Sequence, residues 1–130
     1  MKGREVVILL FNRVELATLV LHMNIMRHNI KKGFKSNYGR SEGKEKLNVY
    51  DGIKERLGSD LEGEEKGFYE FEIDEVEMNM LHSFLNWYVE EIKLSAEDQG
   101  ADIEKDEQIK ILDRLSVKIS NIIEMAIEKA

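Results

Sequence analysis

A single offset of 62 residues aligns the two halves of this 130-residue chain without a gap. Under it Val14, Glu15, Leu19, Asn24, Ile30, Lys31, Glu42, Glu45 and Asp51 recur as Val76, Glu77, Leu81, Asn86, Ile92, Lys93, Glu104, Glu107 and Asp113. These are nine identities over 54 positions, where about three are expected by chance in a search for repeats. Residue class follows the same offset: Leu16 meets Met78, Met23 meets Leu85, Leu47 meets Ile109, Tyr50 meets Leu112, Ile53 meets Leu115 and Leu57 meets Ile119. Whatever fold one half takes, the other must be able to take as well.

Each half reads as strand, helix, helix. Val6 to Phe11 is apolar and rich in β-branched residues, and Phe68 to Ile73 alternates apolar with acidic residues at period two, so both segments are predicted strands. Each runs into the same helix-start signal, Asn12-x-x-Glu15 and Asp74-x-x-Glu77. In such a capping box the Asn or Asp oxygen takes an orphan amide and the Glu reaches back to the cap residue's own N–H. Apolar residues at helical spacing then predict helices over about 13–32 and 75–96, with Gly33 as a left-handed cap for the first. A second pair is predicted over about 42–57 and 103–128, capped by Ser41 and Asp102.

The expected fold is therefore mainly α: a tandem strand-helix-helix duplication giving a four-helix core with a short two-stranded antiparallel ribbon. It is expected to be one domain, 1–130, with repeats 4–57 and 66–128 joined by an acidic, glycine-rich loop at 58–67. Zero prolines leave long helices unobstructed.

Charge divides along the repeat. Residues 1–62 hold 12 Lys and Arg against 8 Asp and Glu, and residues 63–130 hold 7 against 18, which together make the net charge of −7. With no cysteine in the chain, disulfides, thiolate metal sites and cysteine nucleophiles are excluded, and a reducing, cytoplasmic setting is expected. No apolar run approaches the roughly 18–20 residues of a spanning helix, so no membrane partner is expected.

Three groups of residues are candidates for function. Val6, Ile8 and Leu10 make the second face of the first strand apolar, which marks it as a candidate interaction strand to be covered by the chain's own helices, a second copy or a partner. Arg27, Lys31, Lys32, Phe34, Lys35, Tyr38 and Arg40 form a candidate basic loop within 27–46, in which cations alternate with aromatic rings as in many single-strand binders. The acidic second half opposes a polyanion, so nucleic acid is disfavoured overall. Asn24 and Asn86 are polar positions repeated beside an apolar stripe, where they would hydrogen-bond across a pseudo-twofold axis, face a shared pocket there, or have a structural or exposed role. The histidines, His22, His28 and His82, lack metal-ligand spacing.

No catalytic group, metal or cofactor is indicated. The expectation is a non-catalytic, cytoplasmic protein–protein interaction or regulatory module that docks on an unidentified protein partner and self-associates as a homodimer. Two alternatives stay open: a nucleic-acid or phosphate contact through the basic loop, and a small enzyme or ligand-binding domain with its pocket at the pseudo-twofold.

Overall fold

A computed structural model describes residues 6–100 and 106–129, and it is mainly helical. Strand β1 (Val6–Asn12) leads into helix α1 (Arg13–Glu62), strand β2 (Phe68–Asp74) into α2 (Glu75–Asp98), and α3 (Glu107–Lys129) follows. Residues 4 and 5 of the first repeat and the expected cap Asp102 lie outside the described residues.

β1 and β2 form a two-stranded antiparallel ribbon in which Val6 pairs with Asp74, Ile8 with Glu72, Leu9 with Phe71, Leu10 with Glu70 and Asn12 with Phe68. The period-two pattern separates the faces. Leu9, Phe11, Tyr69, Phe71 and Ile73 are buried on one side, while Val6, Ile8, Leu10, Phe68, Glu70 and Glu72 are exposed on the other. A ribbon of two strands is marginal alone, and here its inner face rests on a helical core.

Both capping boxes form. The amide of Glu15 donates to Asn12 Oδ1 at 2.8 Å and the Asn12 amide to Glu15 Oε1 at 2.9 Å. The amide of Glu77 donates to Asp74 Oδ1 at 2.9 Å and the Asp74 amide to Glu77 Oε1 at 3.1 Å.

The chain separates into two compact units between Glu77 and Met78. In the first, α1 is helical over 50 residues except at Gly39, where φ is 85° and ψ is 178°. That combination is open essentially to glycine alone, and it reverses the helix into two arms, 13–38 and 40–62. Their packing is antiparallel: Tyr50 Oη donates to the Met23 carbonyl at 2.6 Å, and an ideal Cβ on Gly43 would lie 2.8 Å from the Phe34 carbonyl oxygen. Leu16, Leu19, Met23, Tyr50, Ile53 and Leu57 are fully buried in this unit.

Three sequence expectations are corrected. Gly33 is an ordinary helical residue without positive φ, so the reversal comes six residues later, at Gly39. Nothing between them breaks a helix, since no proline interrupts the stretch and helical hydrogen bonding continues until the arms can fold back. The segment at 27–46 is consequently not a loop but the ends of two helical arms around one glycine. The connection at 58–67 is likewise shorter, because α1 continues to Glu62 and closes with the Gly63 amide on the Ser59 carbonyl at 3.1 Å.

The second unit is a hairpin of α2 and α3. Gly100, with φ 75°, follows α2 and donates to the Glu97 carbonyl at 2.9 Å, the left-handed ending that glycine favours. Asp106 caps the start of α3, its Oδ1 accepting from the Ile109 amide at 3.0 Å. Met78, Leu81, Leu85, Ile109, Leu112, Leu115 and Ile119 are buried in this unit. Each lies 62 residues after one of Leu16, Leu19, Met23, Leu47, Tyr50, Ile53 and Leu57, which are buried in the first.

Candidate interaction surface

The outward face of the ribbon consists of two rows. Val6, Ile8 and Leu10 project from β1 and are 54, 52 and 49% exposed. Directly across, Glu72 and Glu70 project from β2 as the pairing partners of Ile8 and Leu10, and both are exposed. Opposed side chains in an antiparallel pair stand about 4.5–5.5 Å apart at Cβ, so apolar and acidic rows run side by side. Phe68, 69% exposed, extends the apolar surface at the end where Asn12 pairs with it. A contiguous exposed row of β-branched and leucine side chains marks a surface suited to contact with a partner.

The ribbon's underside and flanks are fixed by two arginines. Arg13 donates to Tyr69 Oη at 2.6 Å and to the Leu61 carbonyl at 3.4 Å, and the Lys66 amide donates to the same hydroxyl at 3.0 Å. The start of α1 is thus tied to its own end and to the turn into β2. Arg56 lies 4.3 Å over the Phe71 ring and bonds both Glu77 Oε2 and the Glu72 carbonyl. It therefore holds the β2 backbone beside the second arm of α1, along a shallow groove lined by Gly52, Glu55, Ser59, Asp60 and Glu70.

The basic residues lie around the reversal at Gly39. Arg27 is committed: Nε and Nη2 each approach Asp51 at 2.8 Å across the two arms. These hydrogen bonds hold the Asp51 carboxyl below the ordinary aspartate range, with the charges of Lys54 and Lys31 acting in the same direction and desolvation against it. Lys46 sits 4.6 Å over the Tyr38 ring, whose centroid is 6.2 Å from that of Phe34. One Tyr38 face is therefore covered by a cation, which reduces its use as a stacking platform. Lys31, Lys32, Lys35 and Arg40 are exposed on the two arm ends.

The two asparagines differ. Asn24 is exposed on the first arm of α1. Asn86 belongs to a polar clasp between α2 and α3: Ser116 Oγ donates to Asn86 Oδ1 at 2.6 Å, Asn86 Nδ2 meets His82 Nε2 at 3.1 Å, and Ser120 Oγ meets the same nitrogen at 2.8 Å. Ser116 and Ser120 carry no motif in the sequence, and their spacing of four residues on one helical face is the one signal of the pair there. A serine hydroxyl on an imidazole has the distance of a nucleophile–base pair, but Asn86 occupies the same ring nitrogen rather than the opposite one that an orienting group takes. Both serines lie within α3, and their hydrogen bonds link it to α2.

Among the described residues no three His, Cys, Asp or Glu are grouped to hold a metal ion, and no helix is long and apolar enough to cross a membrane. No family model, curated protein or solved structure matches the chain.

Proposed function

We propose that this chain is a non-catalytic, regulatory interaction module of the cytoplasm that works by docking the outward face of its ribbon on another protein. The observation that carries the reading is the half-exposed row of Val6, Ile8 and Leu10 on a strand whose other face is buried. Apolar surface of this kind gains about 25 cal/mol per Å² when covered, and a rigid strand loses little entropy in presenting it.

The architecture behind this reading is a tandem duplication of one strand-helix-helix unit, with the four-helix core that a twofold-related pair of units makes. Three relations support it. Leu9 and Phe71 are repeat equivalents and pair with each other, so the whole ribbon register is unchanged when the two halves are exchanged. The capping boxes occupy equivalent positions with matching bonds. Lys93 Nζ meets Asp113 at 3.2 Å, and in the first half Lys31 acts electrostatically on Asp51, again at equivalent positions.

A photo-crosslinking residue placed at position 8 in the native host tests the docking role. One discrete protein adduct, lost when Val6→Glu and Leu10→Glu are added, is the expected result, and its absence removes the reading.

Self-association is a second reading, favoured by the basic arm ends of α1 and the acidic surface of Glu90, Glu91, Glu97 and Asp98 on α2. Head-to-tail pairing of these surfaces between copies predicts a mass in sedimentation equilibrium that falls towards 15.1 kDa as salt rises. A monomer at every salt concentration up to high micromolar protein eliminates it.

A further inference from the structure

From the two rows of the ribbon's outward face we infer that its occupant is a basic amphipathic helix of a partner protein, with apolar residues seated on Val6, Ile8 and Leu10 and Lys or Arg residues over Glu70 and Glu72. The inference rests on the docking role proposed above and adds the chemistry of the partner. Two strands spaced about 4.8 Å apart present a strip about as wide as one α-helix, whose diameter with side chains is about 10 Å. Along β1 the three apolar side chains repeat at about 7 Å and so extend across two to three helical turns. The register then sets the charge: each of Ile8 and Leu10 has a glutamate directly beside it on the same face. A helix that covers the apolar row must lay its adjacent row over two carboxylates, and Lys or Arg there gains attraction where Asp or Glu meets repulsion.

The same arrangement disfavours the other occupants of an exposed strand. In a face-to-face pairing of two copies, the glutamates either oppose the glutamates of the second ribbon or lie against its apolar row, and both placements are unfavourable. An anionic lipid surface or a nucleic-acid backbone meets the acidic row with like charge. Selection by charge is therefore built into the face itself, beyond the chain's overall −7.

Three synthetic helical peptides with one leucine stripe test this on the full-length protein, the row beside the stripe being Lys in one, Gln in the second and Glu in the third. Fluorescence anisotropy in moderate salt is expected to rank them Lys, Gln, Glu, with at least a tenfold gap between Lys and Glu. Ile8→Ser weakens the Lys and Gln peptides together, and Glu70→Lys with Glu72→Lys reverses the ranking. Glu90→Lys with Glu91→Lys changes net charge equally on α2 and leaves the ranking intact. If the α2 variant reverses the ranking as well, or if the three peptides bind alike, the inference is overturned while a crosslinked adduct at position 8 preserves the docking role. A dimer that Ile8→Glu dissolves also overturns it, because a second copy then covers the face. Circular dichroism of each variant shows that the fold is retained.

Discussion

Leu9 and Phe71 face each other at the centre of the β1–β2 ribbon, and they lie 62 residues apart in the sequence. Both side chains are buried, Leu9 completely and Phe71 to within 3%, and the Phe71 ring is stacked under Arg56 and 6.4 Å from Phe11. The pair marks where the ribbon meets the helical core. Truncating it removes packing from both. Leu9→Ala is expected to lower unfolding stability by about 2–5 kcal/mol and Phe71→Ala by about 3–5 kcal/mol, measured by urea denaturation. Values near zero for both would mean that the ribbon is not packed on the core.

Three glycines of α1 predict three different outcomes. Gly39→Ala places a side chain in a glycine-only conformation and is expected to cost about 1–3 kcal/mol. Gly43→Ala is also destabilising, because its Cβ meets the Phe34 backbone at 2.8 Å and the arms must separate. Gly33→Ala, with open space around its Cβ and helical backbone, is expected to stabilise by about 0.4–1 kcal/mol. Thermal unfolding of the three single variants gives the order directly.

The Arg27–Asp51 pair predicts an acid-sensitive contribution to stability. The folded-state pKa of Asp51 is lowered, chiefly by the Arg27 hydrogen bonds, so the contribution is fully present above the unfolded value of about 3.9 and is lost as pH falls through the lower folded value. Urea midpoints of wild type and Asp51→Asn are expected to differ by a constant amount from pH 7 to about 5 and to converge below about 4. A difference that persists unchanged at pH 2 would assign the effect of the substitution to packing instead.

Asn86 stands between Ser116, which is 8% exposed, and His82. Asn86→Leu takes the acceptor from the buried Ser116 hydroxyl and is expected to cost about 1–3 kcal/mol. Adding Ser116→Ala then recovers part of that loss, since no hydroxyl remains to be satisfied. Asn24→Leu, at the exposed position 62 residues earlier, is expected to be near neutral. A double-mutant cycle at 86 and 116 that shows simple additivity would separate the two groups.

Much of this protein was legible before any tertiary contact. The strands, both capping boxes and the buried helix positions follow from local hydrogen bonding and apolar period, which a residue carries wherever its helix or strand is placed. The outward apolar row of β1 was legible for the same reason: alternation with period two sends Val6, Ile8 and Leu10 to one side whatever lies beneath.

Only the tertiary structure decided the rest. Gly33 and Gly39 are equally capable of ending a helix, and the choice of Gly39 belongs to the antiparallel arms, which approach at Gly43 and are bridged by Arg27 and Asp51, 24 residues apart. Asn24 and Asn86 look alike in sequence and both are exposed, yet Ser116 and His82 engage the second. The glutamates beside the apolar row acquire their place only through strand register. Local pattern determines which face a side chain takes, whereas its neighbours on that face are set by pairing between distant segments, and those neighbours decide what the surface can bind.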